Sequence, residues 1–145
     1  MNSTAALIVV LEDDLRRIEA LRNVVELHLG GVSCKVFDSA HVMVYWLKEH
    51  ISEVCLISLD HDLGPNRIID GNVHDPGSGM EVVDYLITNR PSCPVIIHSS
   101  NSNAVQRMKS ALDASGWKSE CIVPFDDLSW IEHEWQVLAG QLLKR

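Results

Sequence analysis

Apolar and polar positions along this chain follow two rhythms. Residues 6–11 form a short, almost wholly apolar run, the pattern of a strand covered on both faces. Leu15, Ile18, Leu21, Val25 and Leu29 then recur at helical spacing until Gly30-Gly31 stops them. Residues 33–37 read as a second strand, and Asp38-Ser39 can cap a helix over 40–50. A third strand is predicted at 54–59 and a third helix at 78–89, ended by Pro91. Residues 94–97 make a fourth strand. Val105, Met108 and Leu112 mark a fourth helix, which Gly116 ends. Residues 121–123 make a fifth strand, and Leu128, Ile131, Trp135, Leu138 and Leu142 stripe a last helix.

Five strand–helix units of this kind predict an α/β fold, a doubly wound parallel sheet with right-handed connections. The common order for such a sheet is 2-1-3-4-5, flavodoxin-like. One domain over 1–145 is expected, with a polar Gly/Pro-rich insert at 65–77 and a C-terminal helix at 128–145. The insert reads either as a lid at the active edge or as a floppy loop. Arg67 and His74 within it are candidate phosphate contacts.

Such folds bind ligands beyond the carboxyl ends of their strands. Strand one ends in Glu12-Asp13-Asp14, strand three in Asp60-His61-Asp62, and strand four in His98-Ser99-Ser100-Asn101. In the predicted order these three strands are neighbours, so five carboxylates and two imidazoles meet at one edge. Single residues have plainer uses: Asp14 as a helix cap, Asp62 in an Asx-turn, Ser99 or Asn101 as a cap, His98 as a structural group. Together, five carboxylates would raise one another's pKa values, and a hard cation relieves that cost. Oxygen ligands suit Mg²⁺ or Mn²⁺, which in turn recruits phosphate.

Composition narrows the field. Twelve basic against 20 acidic residues give a net charge of −8, without the basic face that a duplex-DNA footprint needs. Apolar residues make up 46%, the level of a globular chain. No run is long enough for a membrane span, and no secretory signal is evident. Cys34, Cys55, Cys93 and Cys121 lie apart with no CxxC pair, which predicts buried free thiols and a reducing, cytoplasmic compartment. The glycines at 71, 77 and 79 lack P-loop spacing, and the His61-Asp62 pair follows a strand rather than lying on a helix.

These residues resemble the receiver domain of response regulators over 5–125. Glu12-Asp13 looks like that family's metal-binding pair and Asp60 like its phosphorylatable aspartate. Residues 75–82 are similar to its loop into helix three, Ser99 to its hydroxyl residue, and Pro124-Phe125 to the end of its Lys-Pro-Phe motif. Val123 stands where the family's lysine belongs. The strings Leu59-Asp60-His61-Asp62-Leu63 and His98-Ser99 with Asn101, the Arg107-Met108 pair and the Glu12-to-Arg17 spacing resemble a narrower group, the cyclic-phosphate processing receiver domains.

The resemblance implies a metal-dependent phosphoesterase-type receiver acting on, or binding, cyclic phosphate ends of RNA or nucleotides. Metal would sit on Glu12, Asp13, Asp14 and Asp60. Asp60, His61, Asp62, His98 and Ser99 would carry the chemistry, the two histidines as acid and base. Ser99, Asn101 and Arg17 would hold phosphoryl oxygens, with Arg17 alternatively pairing the acids. The alternative is an atypical receiver, with Asp60 as phosphoacceptor or as a phosphate or metal sensor, signalling without catalysis. In that case the last helix, with Trp130, Trp135, Leu138 and Leu142, is either a protein-partner face or plain packing.

Overall fold

The computed structural model describes residues 6–125 and 127–144. Five parallel strands form the sheet: β1 (Leu7–Leu11), β2 (Ser33–Phe37), β3 (Val54–Leu59), β6 (Val95–His98) and β7 (Ser119–Ile122), in the order β2-β1-β3-β6-β7. Counting only these five, this is the predicted 2-1-3-4-5. Between β3 and β6 in sequence lies an antiparallel hairpin, β4 (Arg67–Ile69) and β5 (Asn72–His74).

The central strands are buried on both faces because their side chains alternate between two cores. Val9, Leu11, Ile57, Leu59, Val95 and Ile97 pack toward α2 (Ala40–His50), α3 (Gly79–Leu86) and α4 (Ser102–Ala114). Ile8, Val10, Leu56 and Ile96 pack toward α1 (Leu15–His28) and the last helix. Ser58 and His98 point to this second side as well, since each follows the alternation of its strand. They are polar residues in an otherwise apolar layer.

The helix starts follow from short polar side chains. Asp14 caps α1 by accepting from the amides of Arg16 and Arg17, Ser39 caps α2 through Val42, and Asn101 caps α4 through Ala104. No helix among the described residues is long and apolar enough to cross a membrane.

Several expectations need correction. The insert is an ordered hairpin, turned at Asp70-Gly71, both with positive φ (52° and 79°). Two positive φ values at the central positions define the turn that matches strand twist. Arg67 ties the hairpin to the end of β2 by donating to Asp38 Oδ2 and to the Asp38 carbonyl (3.1 and 3.0 Å). Arg67 is therefore occupied rather than poised for phosphate.

Strand β7 begins two residues earlier than expected, at Ser119, whose hydroxyl donates to Asp113 and accepts from Lys109. The thiols are free but less buried than expected: Cys34, Cys55 and Cys93 are half-buried and Cys121 is exposed. Leu15 is exposed rather than part of the buried stripe.

The last helix also departs from expectation. Its residues 131–135 form a π turn (Ile131–Trp135), closed by the Gln136 amide donating back five residues to Ile131, before α5 (Gln136–Leu143). Trp130, Trp135 and Leu142 are buried against the sheet, with Leu138 partly buried beside them, which is the plain-packing alternative for this stripe.

Candidate functional site

The ends of β1 and β3 bring their acids together as predicted, but only some of them converge. One carboxylate oxygen from each of Glu12, Asp13 and Asp60 lies within 4.8 Å of the others. Glu12 and Asp60 are buried and Asp13 is half-buried. Asp14 is exposed and turned to its helix-capping role, outside that cluster. The expected fourth metal position is thus a cap.

Glu12 is the most constrained of the three. Oε2 accepts from the amides of Asp13 and Asp14 (3.1 and 3.0 Å). Oε1 faces His98 Nε2 at 3.0 Å and Arg17 at 3.6 Å. Burial alone would push its pKa up, but the His98 hydrogen bond and charge, the Asp14 amide and Arg17 outweigh burial and hold it below the ordinary value. Arg17 also lies over the Trp130 ring, 5.6 Å from its centroid. Its position is the pairing alternative, directed at Glu12.

Asp60 behaves oppositely. Burial, with the Glu12 charge, raises it to a net value of about 6, because His98, the His61 amide and Arg17 only partly offset them. Its Oδ1 accepts from the His61 amide at 2.7 Å. Asp13 is also raised, by burial and by Glu12. Two of the three clustered carboxylates are therefore held in an environment that disfavours their charge, which is the condition a hard cation relieves.

Two glycines allow the loops to close on these acids. A Cβ on Gly64 would meet Asp13 Oδ2 at 2.7 Å, and one on Gly79 would meet the Asp60 carbonyl oxygen at 2.2 Å. The hairpin insert thus leaves the sheet over one clustered acid and returns against another.

The two histidines separate. His61 is half-buried, with Nδ1 2.8 Å from Asp62 Oδ1, an imidazole held by a carboxylate at the site. Asp62 also accepts from Asn101 Nδ2 at 3.4 Å. His98 is fully buried, with Nε2 on Glu12 and Nδ1 on Ser58 Oγ at 2.7 Å. Both of its ring nitrogens are taken, so the expectation that His98 exchanges protons with a substrate does not hold. Ser99 is buried beside it, its hydroxyl accepting from the Asn101 amide. Asn101 spends its Oδ1 on the α4 cap.

Ser58, Trp130 and Trp135 were not anticipated as part of the site. Trp135 Nε1 donates to Ser58 Oγ at 2.9 Å, and the Trp130 ring stacks on His98 with centroids 5.6 Å apart. The available signal was Ser58 itself, the one polar residue in a strand of apolar ones. At the far edge Val123 is exposed just past β7, in the region where the resemblance would have a lysine.

The sheet order is that of solved response-regulator receiver domains to which this chain is similar in fold. The cyanobacterial phytochrome response regulator RcpA, crystallised in its phosphorylated form, superposes with a TM-score of 0.73 at 15% identity, covering 97% of this chain and 95% of its own. A response-regulator receiver domain from Rhodospirillum rubrum gives 0.69 at 15% identity, with coverage of 97% and 95%. A chain of the CheX–CheY–BeF₃–Mg²⁺ complex from Borrelia burgdorferi gives 0.63 at 13% identity, with coverage of 92% and 87%. No curated protein matches the sequence. Residues 8–114 do match the model of one family, and this chain belongs to it: the Cyclic-phosphate processing Receiver domain.

Proposed function

We propose that this chain is a metal-dependent phosphoesterase that opens cyclic phosphate ends of RNA or nucleotides. The observation that carries the reading is the convergence of Glu12, Asp13 and Asp60 in a chain of this family, with Asp13 and Asp60 held above their ordinary pKa values. Three hard oxygen donors fit Mg²⁺ or Mn²⁺. A bound ion would polarise a phosphoryl oxygen and acidify a coordinated water.

The chain's own residues supply the rest. Opening a cyclic phosphate forms one P–O bond to water and breaks one to a ribose oxygen. Water must lose a proton and the ribose oxygen must gain one. In this reading His61, paired through Nδ1 with Asp62, would carry that exchange. Asn101 Nδ2, 3.4 Å from Asp62 Oδ2, and the Ser99 hydroxyl would serve as hydrogen-bonding groups for phosphoryl oxygens. Arg17 neutralises Glu12 from behind.

A second reading has one observation in its favour. With His98 buried, a single imidazole remains for two proton transfers, whereas a phosphoacceptor needs none. Asp60 would then take a phosphoryl group, in a receiver that signals through protein contacts.

Mass spectrometry separates the two. The protein, Mg²⁺ and a short RNA with a 2′,3′-cyclic phosphate are incubated beside an Asp60→Asn control. Gain of one water by the RNA, absent in the control, supports the phosphoesterase. Unchanged RNA, with Asp60 labelled by acetyl phosphate, supports the phosphoacceptor.

A further inference from the structure

Beneath the acids lies a buried chain of hydrogen bonds that ends in the last helix, beyond the residues matched to the family. Trp135 Nε1 is 2.9 Å from Ser58 Oγ, Ser58 Oγ is 2.7 Å from His98 Nδ1, and His98 Nε2 is 3.0 Å from Glu12 Oε1. All four residues have 0% of their surface exposed, so no solvent replaces a missing partner.

We propose that Trp135 is a positioning residue for the cation site: through Ser58 and His98 it fixes Glu12. The inference rests on the proposed cation role of Glu12, Asp13 and Asp60. Its logic is a count of protons. An indole N–H can only donate. Ser58 Oγ must therefore accept from Trp135, which leaves its own hydrogen to point elsewhere. The group facing it is His98 Nδ1, which accepts that hydrogen. A ring carrying a single proton then carries it on Nε2, where it is donated to Glu12.

Without the Trp135 N–H, Ser58 Oγ loses its buried donor and its hydroxyl is no longer held in line with His98 Nδ1. The His98 ring is then less firmly oriented, and the Nε2 contact that holds Glu12 loosens with it. One indole N–H thus steadies the imidazole that holds the carboxylate.

The π turn makes this possible. In an α-helix, residues five apart point about 140° away from each other. The Gln136-to-Ile131 bond widens the turn, so Trp130 and Trp135 both reach the underside of the site, one against the His98 ring and one against Ser58.

The test compares Trp135→Phe, which keeps the ring body and removes the donor, with Ser58→Ala and with Leu142→Ala, a packing change on the same helix. Two quantities are measured: Mg²⁺ affinity by calorimetry, and the ¹⁵N shifts of the His98 ring in metal-free protein. The parent should carry its His98 ring proton on Nε2. Trp135→Phe and Ser58→Ala should each weaken Mg²⁺ binding by about 10-fold and disturb the His98 signals, while Leu142→Ala lowers stability and leaves both readouts unchanged.

A parent ring protonated on Nδ1 alone would overturn the proposal. So would Trp135→Phe and Ser58→Ala variants that bind Mg²⁺ as tightly as the parent, or an equal loss in Leu142→Ala. A parent that holds no Mg²⁺ overturns the proposed function and this inference together. A parent that holds Mg²⁺ with an unaffected Trp135→Phe overturns this inference alone.

Discussion

Gly79 lies against the carbonyl oxygen of Asp60, so close that a Cβ there would sit 2.2 Å away. The Gly79 amide meanwhile donates to the His61 carbonyl at 3.1 Å, which pins the start of α3 to the loop after β3. Gly79→Ala must push these two segments apart, because backbone cannot swing aside as a side chain can. The expected cost is about 1–3 kcal/mol in urea unfolding, together with weaker Mg²⁺ binding, since Asp60 moves with its carbonyl.

The raised pKa of Asp60, about 6, sets a pH dependence. Between its ordinary value and 6 the folded state holds a proton that the unfolded chain has released. Unfolding free energy of the metal-free protein should therefore fall as pH rises across roughly 4 to 6, by up to about 3 kcal/mol from this group. Glu12, held low, contributes in the opposite sense: its share is present above the ordinary glutamate value and is lost as pH falls through the lowered one. Thermal unfolding across this range, with and without Mg²⁺, checks the sign. Added Mg²⁺ should erase the decline, and its affinity should rise as pH climbs through 6.

Asp60→Asn removes the charge that burial disfavours. The variant should be more stable than the parent at neutral pH without metal, by about 1–2 kcal/mol. It should also lose most of its Mg²⁺ affinity. Calorimetric binding and denaturation on the same samples would show stability and binding moving in opposite directions.

His61 and Asp62 form a pair with Nδ1 held at 2.8 Å. If His61 moves the proton, His61→Asn should lower turnover of a cyclic phosphate by about 10²–10⁴-fold, with Mg²⁺ affinity little changed. Asp62→Asn should lose less, because it removes only the orienting charge. Turnover rates of the two variants, with Mg²⁺ affinity measured on the same samples, check both orderings.

Arg67 joins the hairpin to Asp38 through two hydrogen bonds at the surface. Such an exposed pair is worth little to global stability, on the order of 1 kcal/mol or less. Arg67→Ala should leave the melting temperature almost unchanged while hydrogen exchange quickens at residues 67–74. Asp13 should titrate higher, because Arg67 lowers it in the parent.

The sheet and its acids were legible because both rest on local pattern. Apolar runs bounded by turn residues marked each strand of the five-stranded sheet, and strand ends placed Glu12, Asp13 and Asp60 on one edge. The hairpin was legible in principle, since Asp70-Gly71 between short apolar stretches is a turn signal, but the surrounding glycines and prolines suggested a loop. The burial of His98 was not legible. The position after an apolar run does not say whether a side chain points to solvent or continues the strand's alternation, and His98 does the latter. The π turn was hidden for a similar reason: the stripe of Ile131, Trp135 and Leu142 fits an ordinary helix, and only the sheet's demand for two tryptophans underneath decides otherwise.

The hairpin between Gly64 and Gly79 has a consequence for altering this protein. Its two ends are anchored at the acids, while its tip, Asp70-Gly71, turns back on itself with no partner needed from the sheet. Length can therefore be added or removed at the tip in pairs of residues without changing which faces of the remaining rungs point outward. The same property makes the tip a natural place to carry a reporter: a dye attached at residue 70 would travel with the roof over Asp13 yet lie outside the bonded machinery of the site.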